Sequence, residues 1–113
     1  MLINCLKTHG TENPNIAELG MCAVRNIASS NAANIKLFGD LGACDIAHLM
    51  LKTHGFSHPK TAKACLGGIA NLCFLNPSNR AALGKAGACG TVIELLKIHG
   101  YSDVLFAKLG NIS

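Results

Sequence analysis

The five residues LKTHG occupy positions 6–10 and recur at positions 51–55, and LKIHG follows at positions 96–100. Both intervals are 45 residues long. A fixed period of about 20 to 50 residues is typical of proteins built from stacked units, each of which buries its apolar face only against its neighbours. The repeat therefore predicts a solenoid, and it is the strongest constraint that this sequence places on the fold.

The match between consecutive units extends well beyond this pentapeptide. Residues 1–45 align with residues 46–90 without a gap, and the remaining residues continue in the same register. The identical pairs include Pro14/Pro59, Ala17/Ala62, Asn26/Asn71, Asn31/Asn76, Asn34/Asn79, Gly42/Gly87 and Cys44/Cys89. We expect a single domain with a partial repeat at 1–30, a complete repeat at 31–75 and a partial repeat at 76–113.

Apolar spacing predicts that every unit is helical. The stretch PKTAKACLGGIANLCF at 59–74 has apolar residues in steps of three and four, as one stripe of an α-helix requires. Proline fits the first helical turn, and the preceding Asn13 or His58 marks the cap position. The same reasoning places second helices at 43–54 and 88–99, and shorter first helices at 34–41 and 79–86.

The glycines are interpreted as helix ends and bends. In LKTHG, the leucine belongs to the buried stripe, and the lysine and histidine occupy the last helical turn, where positive charge favours the negative end of the helix dipole. We expect Gly10, Gly55 and Gly100 just past the helix, in a left-handed conformation. We expect Gly42 and Gly87 to permit a sharp bend between the first and second helices.

The order and composition of these helices resemble the armadillo repeat. The segment NPSNRAALGKAGACGTVIELLKIHG contains a short first helix, a bend of small residues (GAC) and a second helix, and the third helices carry an asparagine near their ends in IANLC and VRNIAS. The resemblance covers the whole chain, although the period of 45 residues is a little longer than the usual armadillo unit. It implies an all-α, right-handed superhelix whose third helices line a concave groove for an extended segment of another protein.

The candidate binding residues follow from this resemblance. Asn26 and Asn71 lie one period apart, and in armadillo proteins such an asparagine hydrogen-bonds the backbone of the bound peptide, since an amide both donates and accepts. The alternative is that each asparagine bonds its own repeat or a neighbouring loop. Nuclear-import armadillo proteins place a tryptophan one turn earlier, where this chain has Cys22 and Gly67 and contains no tryptophan. We therefore do not expect it to bind a basic nuclear localisation signal.

Charged residues indicate the chemistry of the partner. Those on the same face or beside it in the three units are Arg25, Lys60, Lys63, Lys108 and Glu18. Four cations against one carboxylate favour an extended acidic partner, whereas the alternative is an ordinary solvated face. The predicted function is a protein-interaction scaffold. A structural spacer within a larger multidomain protein and, less favoured, a nucleic-acid-binding helical repeat are the alternatives.

The cysteines and histidines do not predict a metal site. Cys44 and His48 share a helix face, but the counterpart of His48 in the next unit is Ile93, an expected core position. No CxxC pair and no GxSxG, phosphate-loop or dinucleotide motif occurs. The adjacent Gly67 and Gly68 indicate close approach of another backbone, from a neighbouring helix or a ligand. We expect a non-enzymatic protein without a metal or cofactor.

Charge and hydrophobicity argue against nucleic-acid-binding, membrane-spanning and secreted proteins. The net charge of +4 is small for a nucleic-acid-binding protein, and no apolar run reaches the ~18 residues of a membrane span. The start MLINCLKTHG lacks the features of a signal peptide, so we expect reduced cysteines in an intracellular protein, cytoplasmic or nuclear. Both ends read as interior sequence, which predicts a fragment of a longer array whose exposed ends self-associate.

Overall fold

The computed structural model of the chain describes residues 2–99, and every regular element in that range is a helix. In chain order they are α1 (Leu2–Cys5), a π-helical turn (Leu6–Gly10), α2 (Pro14–Ala28), α3 (Ala32–Asp40), α4 (Ala43–His54), α5 (Pro59–Cys73), α6 (Pro77–Ala86) and α7 (Ala88–His99). The expected all-α class is confirmed for these residues. None of the described helices is both long and apolar enough to cross a membrane.

The helices recur with the 45-residue period of the sequence, in the order first helix (α3, α6), second helix (α4, α7) and third helix (α2, α5). The two third helices make the most extensive contact between any pair of helices described. Thr61 near the start of α5 hydrogen-bonds Pro14 at the start of α2, and Asn71 near the end of α5 hydrogen-bonds Arg25 near the end of α2. The two helices therefore run parallel, and equivalent residues lie next to each other.

Asparagine side chains determine where several helices begin. Asn13 accepts from the backbone N–H groups of the first turn of α2, as predicted. Asn31 and Asn76 cap α3 and α6 in the same way, accepting from backbone N–H groups three residues later. The first helices consequently start at Ala32 and Pro77, two residues before their predicted starts, because the caps satisfy otherwise unpaired N–H groups there.

The glycines after the second helices do not adopt the predicted left-handed conformation. Gly55 has φ −61° and ψ −34°, which is right-handed helical, and Gly10 lies within the π-helical turn. Their small size serves packing between units instead. A Cβ at Gly10 would lie 2.8 Å from Sδ of Met50, and one at Gly55 would collide with the Leu51 carbonyl oxygen and lie 3.1 Å from Cδ2 of Leu95. Gly100 lies outside the described residues.

The bend glycines behave as predicted. Gly42 and Gly87 have φ values of +85° and +90°, in the left-handed region, and each lies where a first helix ends and a second helix begins. A residue with a Cβ would be strained there, which explains why glycine recurs at this point of the period.

The buried residues are the apolar stripes of the units. Leu6 and Leu51 are fully buried, as predicted for the first residue of the repeated pentapeptide. The predicted stripe of α5 is also buried throughout, at Ala62, Cys65, Leu66, Ile69, Leu72 and Cys73. Ile93 is an exception to the prediction, since 53% of it is exposed. Its counterpart His48 is buried beside α7, but within residues 2–99 no later unit covers Ile93 in the same way.

Candidate functional site

A shallow groove of about 220 Å³ runs between the two parallel third helices. Its lining consists of Glu18, Cys22 and Arg25 from α2 and Lys60, Lys63 and Ala64 from α5. We call this surface the α2–α5 groove. Five of its residues belong to the set that the sequence places on or beside one face. The residues from α5 lie in its first two turns, and those from α2 extend from its second turn to its last. Lys108, the cation predicted for the third unit, lies outside the described residues.

The charge of the α2–α5 groove is positive. Lys60 and Lys63 are exposed and Arg25 is half-buried, whereas Glu18 is the only carboxylate in the lining. Within residues 2–99, the ion pairs shorter than 4 Å join other residues, so the lysines of the groove are not neutralised by a neighbouring carboxylate. Three cations therefore face solvent against one anion, as the sequence predicts for the two units that the structure describes.

The start of α5 adds to this positive field. Lys60 lies in the first helical turn, which contains no acidic residue, and the unpaired N–H groups of a helix start already carry a partial positive charge. The cap residue His58 makes no side-chain hydrogen bond to those N–H groups. A lysine in this position lowers helix stability by about 0.3–1 kcal/mol, so the charge of Lys60 does not stabilise α5.

Arg25 is held in position by packing against Gly67. A Cβ on Gly67 would lie 2.7 Å from Cδ of Arg25, so the aliphatic part of the arginine covers the glycine. Gly67 is therefore buried and does not face the groove directly, in contrast to its predicted place on the exposed face. The neighbouring Gly68 approaches α2 closely, with its Cβ position 3.5 Å from the Met21 carbonyl oxygen. This is the close backbone approach that the glycine pair predicts.

The two candidate asparagines differ in their environments. The Asn71 amide nitrogen donates to the Arg25 carbonyl at 2.7 Å, and this carbonyl lies in the last turn of α2, where helical acceptors lack helical partners. This bond joins Asn71 to the neighbouring unit. It is therefore similar to the alternative interpretation, in which each asparagine bonds its own repeat or a neighbouring loop. The side chain of Asn26 is exposed and makes no hydrogen bond within residues 2–99. Of the two amides, Asn26 is the one whose full hydrogen-bonding capacity faces solvent.

Another asparagine pair, not selected from the sequence as functional, holds the units together. The Asn79 amide donates to the Leu72 carbonyl at 2.9 Å and to the Ile35 carbonyl of the preceding unit at 3.2 Å. Its counterpart Asn34 donates to the Ile27 carbonyl at 2.9 Å. Asn34 and Asn79 recur one period apart in the sequence, which indicates a shared structural role. The carbonyl groups that accept their hydrogen bonds are determined by tertiary contacts, which the sequence does not specify.

Histidines also join neighbouring units. Nε2 of His54 donates to the Gly10 carbonyl and is buried, so this residue does more than place a positive charge at a helix end. Nε2 of His48 lies 2.8 Å from the Thr91 hydroxyl of α7. Burial lowers the pKa of His48 below its usual value, Lys52 lowers it further, and Asp45 partly opposes the shift.

The buried cysteines are protonated packing residues. Desolvation raises the pKa of the Cys65 and Cys73 thiols to about 12 and that of Cys44 to about 11. A thiol with such a pKa is a weak nucleophile and a poor metal ligand at neutral pH. Within the described residues, no three histidine, cysteine or acidic side chains converge as metal ligands.

Comparison with known proteins adds no relative: no protein-family model, no curated protein and no solved structure matches this chain.

Proposed function

We propose that this chain forms an armadillo-type solenoid and that its α2–α5 groove holds an extended acidic segment of another protein. The observation that carries the proposal is the unneutralised charge of Arg25, Lys60 and Lys63 along one groove. The proposed function is non-enzymatic.

Three features support the armadillo type. The complete unit at 31–75 contains a short first helix, a bend at a left-handed glycine, a second helix and a third helix that begins at a proline, and the described parts of the other two units follow the same order. The third helices of consecutive units lie parallel and in equal register. Side chains in the later unit, such as Thr61 and Asn71, bond backbone carbonyls of the earlier unit, as expected of units that stack in one direction.

The shape and chemistry of the groove favour an extended chain over a small substrate. It is open and shallow, whereas small-molecule sites are concave and bury most of the ligand. Its cations are distributed along two helices, so a partner with several carboxylates could engage them together. The Asn26 amide, near the ends of the helices, is suited to bond a peptide backbone. Catalysis would need converging polar groups in a pocket, and the groove has separated side chains.

Charge reversal in the groove tests this proposal. The probe is an array of synthetic peptides of equal length that are acidic, neutral or basic, followed by fluorescence anisotropy on the best acidic peptide. We expect acidic peptides to be preferred. The double variant Lys60→Glu/Lys63→Glu should weaken that binding by about tenfold or more, because each exposed charge pair contributes roughly 0.2–1 kcal/mol and reversal adds repulsion.

A matched double variant controls for net charge. Lys7→Glu/Lys52→Glu makes the same charge change at two exposed lysines one period apart on the second-helix ends, away from the groove. It should leave affinity within about twofold at moderate salt, because exposed charges beyond ~10 Å are screened. Equal losses in the two double variants, or no preference for acidic peptides, would remove the basic-groove function and favour a structural spacer.

A further inference from the structure

Arg25 differs from the two lysines of the α2–α5 groove in how firmly its side chain is held. The three atoms nearest to the Cβ position of Gly67 all belong to Arg25: Cδ at 2.7 Å, Nη1 at 3.5 Å and Cγ at 3.6 Å. The arginine therefore lies across the Gly67 backbone from its aliphatic part to its guanidinium. Arg25 is half-buried, whereas Lys60 and Lys63 are exposed, so packing restricts the arginine and leaves the lysines able to change rotamer.

The main chain of Arg25 is also held by the later unit. Its carbonyl oxygen accepts a hydrogen bond from the Asn71 amide at 2.7 Å. Asn71 and Gly67 lie about one helical turn apart on α5, so one face of α5 holds both the main chain and the side chain of Arg25. The position of this arginine is thus set by the contact between units.

The guanidinium of Arg25 has no partner among the described residues. Within residues 2–99 its side chain donates no hydrogen bond and belongs to no ion pair, although a guanidinium carries several N–H donors. The backbone of Glu18, the carboxylate of the groove, lies about 10 Å away along the axis of α2. An ordered cation with unused donors on the wall of an open groove is suited to bind an anion that another molecule supplies.

We infer that Arg25 is the specificity-determining residue of the α2–α5 groove, that it forms a bidentate ion pair with one carboxylate of the partner, and that Gly67 positions it. The inference rests on the proposed function, because it assigns roles within the same groove. Arginine presents parallel N–H groups that match the two oxygens of a carboxylate, which lysine cannot do. Since the side chain is already ordered in the folded protein, binding removes little of its conformational entropy.

Lys60 and Lys63 have a different role. An exposed lysine must lose rotamer freedom to form an ion pair, and such pairs add little affinity. The lysines therefore attract acidic segments in general and raise the association rate, while Arg25 selects segments with a carboxylate at one place. The counterpart of Arg25 in the next unit is Ala70. Of the two third helices that the structure describes, only α2 therefore has an arginine at this position.

The alternative is that Arg25 only covers Gly67. The aliphatic part of an arginine often packs on a neighbouring surface while its charge remains in water. The substitution Arg25→Met separates the two roles, because methionine keeps an unbranched side chain over the glycine and lacks the guanidinium.

Fluorescence anisotropy of the 113-residue chain with the best acidic peptide tests the inference. Arg25→Met should weaken binding by about tenfold, and Gly67→Ala by a similar factor, because the new Cβ displaces the arginine side chain. In the Arg25→Met background, Gly67→Ala should cause no further loss, since the residue that it positions is absent. The matched control Gly84→Ala adds a Cβ on α6 where nothing lies within 4 Å, and it should leave the affinity unchanged.

The peptide provides a second readout that a purely structural role of Arg25 would not change. Each glutamate of the peptide is replaced in turn by glutamine. With the wild-type protein, one of these replacements should weaken binding by about tenfold, because it removes the carboxylate that pairs with the arginine. With Arg25→Met, the same replacement should change affinity by less than about twofold, since the two groups act as a pair.

Circular dichroism should show unchanged helix content in Arg25→Met, Gly67→Ala and Gly84→Ala. Wild-type affinity in Arg25→Met or in Gly67→Ala would overturn the inference, and so would a loss from Gly67→Ala that persists in the Arg25→Met background. If Gly67→Ala fails to fold, Arg25→Met and the peptide replacements still decide the role of Arg25. A wild-type protein without preference for acidic peptides, or equal losses in the two lysine double variants, would instead remove the proposed function, so the two failures are distinguishable.

Discussion

The helices α2 and α5 occupy the same place in consecutive units and have the same length of 15 residues, yet they are buried to very different extents. Eleven residues of α5 are buried but only five of α2, because α5 has α2 on one flank and packs against α3, α4 and α6 on others. The flank of α2 that faces away from α5 carries the partly or fully exposed residues Ile16, Leu19 and Ala23. Burial of a third helix is therefore set by its neighbours as much as by its own sequence.

The side chains of the two helices match this difference. Where α2 has the exposed Leu19 and the half-buried Ala23, α5 has the buried Ala64 and Gly68. Small residues on the covered flank let the two helix axes approach closely. At these equivalent positions, the residue is smaller where another helix packs against it and larger where none does.

Enlarging the residue at the same position of both helices should affect stability to very different extents. Gly68→Leu is expected to lower the free energy of unfolding by about 3 kcal/mol, because the Cβ alone would meet Met21 Cε at 2.7 Å and the α2 backbone lies just behind it. Ala23→Leu should change the free energy of unfolding by less than about 1 kcal/mol, since Ala23 is half-buried and lines an open groove beside Leu19. Urea denaturation at low protein concentration measures both. Equal destabilisation by the two variants would show that α2 and α5 are not covered differently.

Asn79 and Asn34, which lie in the first helices and bond carbonyls near the ends of the third helices, provide a second comparison. Asn79→Ala should destabilise the protein by about 2 kcal/mol, since it leaves the Leu72 and Ile35 carbonyls without their buried donor. Asn34→Ala should cost about 1 kcal/mol or less, because Asn34 is half-buried and donates to Ile27 alone. Thermal and urea unfolding of both variants would check the order. A larger loss of stability for Asn34→Ala than for Asn79→Ala would contradict the conclusion that Asn79 makes the more stabilising contacts.

The smallest expected effect concerns the contact between α4 and α7. Since burial lowers the pKa of His48 in the folded protein, the unfolded chain binds a proton there first as the pH falls. Stability from this group is thus present above the unperturbed value of ~6.5 and is lost below it, by at most about 1.4 kcal/mol per pH unit. His48→Ile, which introduces the residue found at Ile93, should reduce the stability difference between about pH 7.5 and about pH 5.5. An unchanged difference in urea unfolding would contradict the pKa assignment.

Much of the helical pattern could be predicted from the sequence because it is marked locally. Proline at the starts of α2 and α5, and histidine followed by glycine after α4, define ends that the structure confirms. The conformation of Gly55 could not be predicted, because the reason for glycine there is contact with Leu95 in the next unit. The early starts of α3 and α6 follow from the side-chain caps at Asn31 and Asn76, which the apolar spacing alone does not mark.

The lining of the α2–α5 groove could be predicted in part, because the repeat determines which residues of consecutive units are equivalent. Equal register of repeated helices was sufficient to place Glu18, Arg25, Lys60 and Lys63 near one another. The packing of Arg25 on Gly67 and the bond from Asn71 to the Arg25 carbonyl depend on the exact approach of two helices, which a period in sequence does not specify. These contacts make Asn26 and Asn71 inequivalent although their sequence positions are equivalent.

The central claim is that stacking of neighbours, rather than the sequence of a single helix, stabilises each unit. Amide hydrogen exchange of α2 and α5, followed residue by residue by NMR at low protein concentration, tests it most directly, because exchange reports local opening free energies. We predict that the amides of α5 exchange only through global unfolding and that those of α2 exchange through smaller openings. Equal protection of the two helices, or greater protection of α2, would contradict the claim.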